Sequence, residues 1–149
     1  KGFVIDNGAL AAAATDRADF IASYNESGML IGVAVSTGIM GYQDRIRMLL
    51  GYEPRSETLT GFAVLESRET PGLGDKIIKD QDFLDDFSAL EVEPEVEAVA
   101  SGTKSEANEV DSISGATISS KAVVNIINDG NDKWRQLIDE RTESEGQAE

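Results

Sequence analysis

Thr117 is the residue on which covalent chemistry would most readily be done. It ends the small-residue run Ser114-Gly115-Ala116-Thr117 and is followed by Ile118-Ser119-Ser120. An apolar pattern begins just after it, with Val123, Val124, Ile126 and Ile127, and resumes at Trp134, Leu137 and Ile138 beyond a break expected at Gly130. Spacings of three and four put these side chains on one helical face. Ser119 and Ser120 suit a helix start, because a serine oxygen can accept from the free amides of a first turn. Such a start offers unpaired N–H groups and partial positive charge, which favour phosphate. Thr117 therefore stands where an esterified phosphate would be well held. Gly115 and Ala116 add little bulk, so another protein could reach the hydroxyl. Taken alone, the run reads first as a plain loop followed by a capped helix, because short motifs often match by chance.

A second segment, Glu69-Thr70-Pro71-Gly72-Leu73-Gly74-Asp75-Lys76-Ile77, lies upstream. Pro71-Gly72 suits a tight turn with positive φ at the glycine. In order and spacing the two segments resemble the FMN-binding domain of the RnfG subunit of Rnf electron-transport complexes. The related NqrC subunit of sodium-pumping NADH:quinone oxidoreductase carries similar segments. The likeness runs from about Gly28 to Gly130.

That resemblance implies FMN joined to Thr117 through a phosphoester, installed by an ApbE-type flavin transferase. The transferase pattern is an Asp, two variable residues, Ser or Thr, Gly or Ala, Ala, then the acceptor. Asp111, Ser114, Gly115, Ala116 and Thr117 fit it position by position. Ser114, Gly115, Ala116 and Ile118 would then surround the attachment point. Glu69, Thr70, Pro71, Gly72, Leu73 and Gly74 would lie by the flavin, with Leu73 as an apolar contact and Thr70 as a polar one. Leu73 and Thr117 are thus expected to line one cleft. Glu69 either faces the flavin or braces its own loop. Lys121, about one turn beyond Thr117, either offsets the phosphate charge or is simply solvated. Tyr42 and Trp134 read as packing residues, though Gly41-Tyr42 stands where the family often has a Gly-Tyr pair.

Composition narrows the remaining chemistry. The 149 residues contain no cysteine and no histidine. That excludes disulfides, thiolate metal sites, Cys nucleophiles and every Ser-His-Asp scheme, so demanding chemistry falls to a cofactor. A metal site is not expected, nor a catalytic residue of the chain's own. Net charge is −15, from 28 acidic against 13 basic residues. Such a surface repels nucleic acid and anionic lipid, and could steer docking to a basic redox partner. No 18-residue apolar run is present, so no segment reads as a membrane span. The resemblance implies an N-terminal membrane helix ahead of Lys1, holding the domain on the extracytoplasmic (periplasmic) face of the cytoplasmic membrane.

The elements that must position these residues follow from the pattern. Ala9 to Asn25 is alanine-rich and reads as a helix. Met29–Ser36, Arg45–Leu50 and Leu59–Glu66 read as an antiparallel meander of three strands, punctuated by Gly38 and Gly41, with 51–56 turn-like. Ile46, Met48 and Leu50 share one face. Asp80 to Leu90 reads as a helix, Val96 to Ala100 as an edge strand, and the stretch after Lys133 as a short helix to about Arg141. Residues 1–141 then form one domain, and 142–149 a disordered tail.

These residues point to an α+β domain, a mostly antiparallel sheet with helices packed on it in the FMN-binding domain fold. The resemblance implies an electron-carrier flavoprotein subunit of an ion-translocating oxidoreductase complex, with the other Rnf-type subunits and the flavin transferase as partners. An NqrC-like subunit or a free-standing flavinylated carrier is the alternative within redox biology. A flavin-free interaction module is the alternative of another class.

Overall fold

The computed structural model describes the backbone of residues 2–6, 9–13, 20–53 and 55–146, and the side chains of 20–53, 55–132 and 135. Its strands are β1 (Gly2–Asp6), β2 (Ala9–Ala13), β3 (Phe20–Tyr24), β4 (Leu30–Met40), β5 (Arg45–Glu53), β6 (Thr58–Glu66), β7 (Leu90–Glu91), β8 (Glu97–Val99) and β9 (Glu109–Asp111). A 3-10 helix covers Gly74–Ile78, and α1 (Gln81–Asp85) and α2 (Thr117–Gly146) complete the set. Among the described residues the first seven strands form one antiparallel sheet in the order β2-β1-β3-β4-β5-β6-β7. Strands β8 and β9 form a separate parallel pair.

The expected meander is present as β4, β5 and β6. Ile46, Met48 and Leu50 all face inward, at 3% exposure or less. The strands are longer than their apolar runs. Strand β4 continues through Gly38, where an added Cβ would stand 2.5 Å from the Ile46 carbonyl; the glycine admits a close backbone and does not end the strand. Gly51, Tyr52 and Glu53 belong to β5 and not to a turn, with Tyr52 opposite Leu59.

The N-terminal helix is a misreading of composition. Within Ala9–Asn25 the chain forms β2 and β3, with residues 14–19 outside the described ones. Alanine favours helix only weakly, and pairing overrides it. Asp6 and Ala9 pair across Asn7-Gly8, the dipeptide that most favours a two-residue hairpin. In β3, Phe20 and Ala22 are buried while Ser23 is exposed, a period of two and not of 3.6.

Helix α2 covers the sheet. Lys121, Asn125, Asp129 and Asp132 form its exposed stripe, and Ala122, Val123, Val124, Ile126 and Ile127 are buried. The helix is continuous through Gly130, where the sequence suggested a break. A Cβ there would stand 3.2 Å from Leu50 Cδ1 and 3.5 Å from Thr37 Cγ2, so the glycine lets the helix lie close on β4 and β5. The helix takes residues 142–146 of the expected tail; 147–149 lie outside the described residues. Asn131 Nδ2 donates to the Val92 carbonyl (3.1 Å). Asn128 exchanges bonds with the backbone of Val96, tying α2 to the strand-bearing segment before β8.

Helix α1 is shorter than its apolar spacing suggests. Asp80 caps it by accepting from the Phe83 amide, and the chain leaves helical geometry so that Leu90 can pair with Leu59. Phe83 and Phe87 pack edge to face at 5.0 Å, and Phe87 meets Phe62 of β6 at 4.5 Å. Among the described residues no helix is long and apolar enough to cross a membrane.

Ile126 is 1% exposed in the face of α2 that meets the sheet. Ile126→Ala should cost about 2–5 kcal/mol, lowering the thermal midpoint by about 5–15 °C for a chain of this size. Thermal unfolding followed by circular dichroism checks this; an unchanged midpoint would mean the helix does not pack through this face.

Candidate functional site

Thr117 is the first residue of α2 and is exposed. Gly115 turns the chain into the helix at φ +79, a conformation open to glycine. Ile113 accepts from the Ala116 amide, and Ala116 accepts from the Ser120 amide, closing the first turn.

Ser119 and Ser120 do not cap this turn. They sit inside it, 2% and 0% exposed, and reach elsewhere. Ser120 Oγ accepts from the Ile113 amide at 3.0 Å and donates back to the Ala116 carbonyl. Ser119 Oγ donates to Glu69 Oε2 at 2.5 Å. The first serine binds the upstream loop and the second folds the acceptor loop onto the helix.

Glu69 makes bracing contacts that join three segments. It is 5% exposed. Besides Ser119, it accepts from the amides of Tyr42 (3.2 Å), Gln43 (3.0 Å) and Asp44 (3.3 Å) in the β4–β5 turn. Gly41 and Gly74 make room for it: an added Cβ would stand 2.7 Å from Oε1 at Gly41 and 2.5 Å from Oε2 at Gly74. Burial pushes the carboxyl up, but the Ser119 hydroxyl and the three amides outweigh it and hold the pKa below the usual glutamate value. One carboxylate thus joins the β4–β5 turn, its own loop and the start of α2.

The rest of the Glu69–Gly74 loop is tightly turned. Gly72 has φ +76 as expected, and its amide donates to Asp75 Oδ1 at 2.7 Å. Pro71 is exposed at the turn. The Thr70 hydroxyl donates to Gln43 Oε1 at 2.6 Å, and the Thr70 carbonyl accepts from Leu73. Lys76, just beyond, reaches the Ser114 carbonyl at 3.4 Å. Leu73 and Ile118 flank the packed Gly74 and Ser119 in sequence and are 50% and 57% exposed. Tyr42 is 66% exposed. The side chain of Trp134 lies outside the described residues.

A hollow of about 310 Å³ adjoins Thr117. It is lined by 98–101 at the end of β8 and by Ser112, Ser114, Gly115, Thr117 and Lys121. Lys121 therefore shares a cavity with Thr117, and Leu73 is not among its lining residues. A second hollow of about 400 Å³ shares Ser101, Ser112 and Ser114 with the first, and is walled by Lys76, Asp80, Asp82, Asp86 and Asp111. Asp111 builds this wall: Oδ1 accepts from the amides of Thr103 and Lys104, both at 3.0 Å, and its own amide donates to Asp86 Oδ2. Among the described residues no cluster of acidic side chains is arranged to hold a metal ion.

Sequence reasoning missed Ser119 as the partner of Glu69, Lys76 as the tie to Ser114, and Ser112 in the cavity. The available signal was the pair of glycines, Gly41 and Gly74, that leave space for a carboxylate.

The FMN-binding domain family matches residues 41–132. The chain is 41% identical over 103 residues to the G subunit of the ion-translocating oxidoreductase complex of Methanosarcina acetivorans, covering 69% of this chain and 51% of that protein. It is 39% identical over 127 residues to the G subunit of the complex of the same name from Pectobacterium atrosepticum, covering 84% and 58%. The chain thus spans little more than half the length of these relatives. The crystal structure of the C subunit of Na(+)-translocating NADH-quinone reductase from Parabacteroides distasonis superposes with a TM-score of 0.70 at 22% identity, covering 91% of this chain and 75% of that one. That likeness bears on the fold, which is the α+β arrangement expected from the sequence.

Proposed function

The chain belongs to the FMN-binding domain family, and from that premise we propose that it carries FMN as a phosphoester on Thr117. We further propose that it relays electrons within an Rnf-type membrane complex that couples electron transfer to ion translocation. The observation that carries the first step is the exposed Thr117 hydroxyl at the start of α2. It opens on a hollow lined also by Lys121 and by Ser112, whose buried hydroxyl has no partner among the described residues. These residues suit a phosphate group.

FMN, when bound, supplies one- and two-electron chemistry that this chain lacks. For attachment, the Thr117 oxygen attacks the flavin-side phosphorus of FAD. One O–P bond forms, one pyrophosphate P–O bond breaks, AMP leaves, and the hydroxyl proton passes to a base of the ApbE-type transferase. Gly115 and Ala116 keep the approach open. The amides of the first turn of α2 and the Lys121 ammonium favour the anionic product. Phosphoester attachment leaves the flavin ring free for electron exchange and removes any dissociation constant.

The acidic surface suits docking to basic patches on the other members of the complex. The resemblance to RnfG supports a position on the periplasmic face of the cytoplasmic membrane, with an N-terminal membrane anchor. Identities of 41% and 39% to the two G subunits support the Rnf-type reading.

Co-expression with an ApbE-type transferase and FAD should add one FMN to the intact mass, with visible absorbance that survives denaturation. The loaded domain should bleach with dithionite yet show negligible NADH oxidation, because a hydride donor must be held against the ring and no GxGxxG-type nicotinamide fingerprint is present. Steady NADH consumption by the purified domain would replace the carrier reading with that of an independent flavoenzyme. A chain that takes up no flavin would favour the interaction module.

A further inference from the structure

We propose that Ser112 is a direct partner of the bound phosphoester: its hydroxyl donates to a phosphate oxygen seated between the end of β8 and the first turn of α2. This rests on the phosphoester reading at Thr117 and adds a residue that the transferase pattern leaves variable.

Three serines are buried within nine residues of one another here, and two are fully engaged: Ser119 with Glu69, and Ser120 with Ile113 and Ala116. Ser112 is also buried, at 4% exposure, yet its Oγ has no partner among the described residues. Buried hydroxyls are ordinarily hydrogen-bonded. The other such atom among the described side chains, Asn131 Oδ1, belongs to an amide already anchored through its nitrogen. Ser112 is also fixed in place, because its amide donates to the Val99 carbonyl at 2.9 Å and extends the β8–β9 pairing. An unfilled hydroxyl on a fixed backbone, lining the same hollow as Thr117, marks a polar group that arrives with a ligand.

The two hollows that meet at Ser112 differ in charge, and this decides which one receives the phosphate. The larger is walled by Asp80, Asp82, Asp86 and Asp111 against Lys76, and even with Asp86 paired to Lys104 it keeps an excess of negative charge that repels an anion. The smaller carries Lys121 and the amino end of α2, whose first amides have no partner within the helix. At about 310 Å³ it lies at the small end of ligand pockets, which run from about 300 to 1,000 Å³. A hollow of that size would have room for the phosphate and the adjoining polyol.

The test compares wild type with Ser112→Ala, each prepared with and without FMN by co-expression with the transferase, with attachment verified by mass. Without flavin, the variant should melt at or slightly above the wild-type temperature, since it removes an unpaired buried hydroxyl. With flavin, wild type should gain about 5 °C more than the variant, the scale expected of one hydrogen bond to a charged group. The phosphorus resonance of the adduct should also move in the variant. Equal gains in both chains would overturn the assignment. So would an unmoved phosphorus resonance beside a lost gain, which would put the polyol on Ser112. A folded variant that takes up no flavin would overturn it too, because Ser112 is given a share in holding the group and none in the transfer. Wild type that takes up no flavin would instead remove the phosphoester reading itself.

Discussion

Thr117→Ala should leave the chain wholly without covalent flavin when co-expressed with the transferase, because no oxygen remains at that position to form the ester. The loss should be chemical and not structural. Thr117 is exposed at the first residue of α2, and surface substitutions of this kind usually change stability by under about 0.5 kcal/mol. Thermal unfolding of the variant should therefore match that of flavin-free wild type. Neighbouring hydroxyls offer no detour: Ser119 and Ser120 are 2% and 0% exposed and committed to Glu69, Ile113 and Ala116. Ser114 is exposed but stands on the far side of Gly115 from the helix start. Thr117→Ser keeps the hydroxyl and should retain partial loading. Intact mass followed by peptide mapping measures all three chains, and an undiminished adduct in Thr117→Ala would end the assignment.

The segment carrying Thr117 stood out in the sequence, and the contacts that hold it in place did not. Ser114 to Thr117 stands out only together with the Glu69–Gly74 segment, because alone it reads as a loop and a capped helix. The meander was readable because Arg45–Leu50 alternates in part, with Ile46, Met48 and Leu50 on one face and Arg45 and Arg47 on the other. Elements whose form depends on pairing or packing were missed, even where a local signal such as Asn7-Gly8 stood in the sequence. Ala9–Ala13 is a strand only because β1 pairs with it, and Gly130 permits close approach only because Leu50 and Thr37 lie beneath it. Nothing local to Ser119 signals an acceptor 50 residues upstream. The expectation that Leu73 and Thr117 line one cleft rested on family likeness. The structure joins their segments through Glu69 and Ser119, while the hollow at Thr117 is walled by the end of β8. Short-range pattern marks the segment, and long-range packing carries what holds it.

Glu69 is where that long-range packing concentrates, so Glu69→Ala should be the most damaging single change near the site. It strips the amides of Tyr42, Gln43 and Asp44 and the Ser119 hydroxyl of their shared acceptor. Hydrogen bonds to a charged group contribute about 1.5–3 kcal/mol each but do not add simply. A total cost of about 3–5 kcal/mol, or roughly 10 °C in thermal midpoint, is expected. Flavin loading should fall as well, because the β4–β5 turn and the Glu69–Gly74 loop lose their tie to the start of α2. The pH dependence identifies the cause. The folded pKa of Glu69 lies below the ordinary value of 4.5, so its stabilisation is fully present above about that pH. It is lost as pH falls through the depressed folded value, where the folded carboxylate takes up a proton. Glu69→Gln keeps the size and one acceptor oxygen but cannot titrate. The stability difference between wild type and Glu69→Gln should accordingly hold steady from pH 7 to about 5 and shrink on further acidification. Urea unfolding across that range measures it. A difference that stays constant down to pH 3 would mean that Glu69 fills space between the two glycines without its charge holding the three segments together.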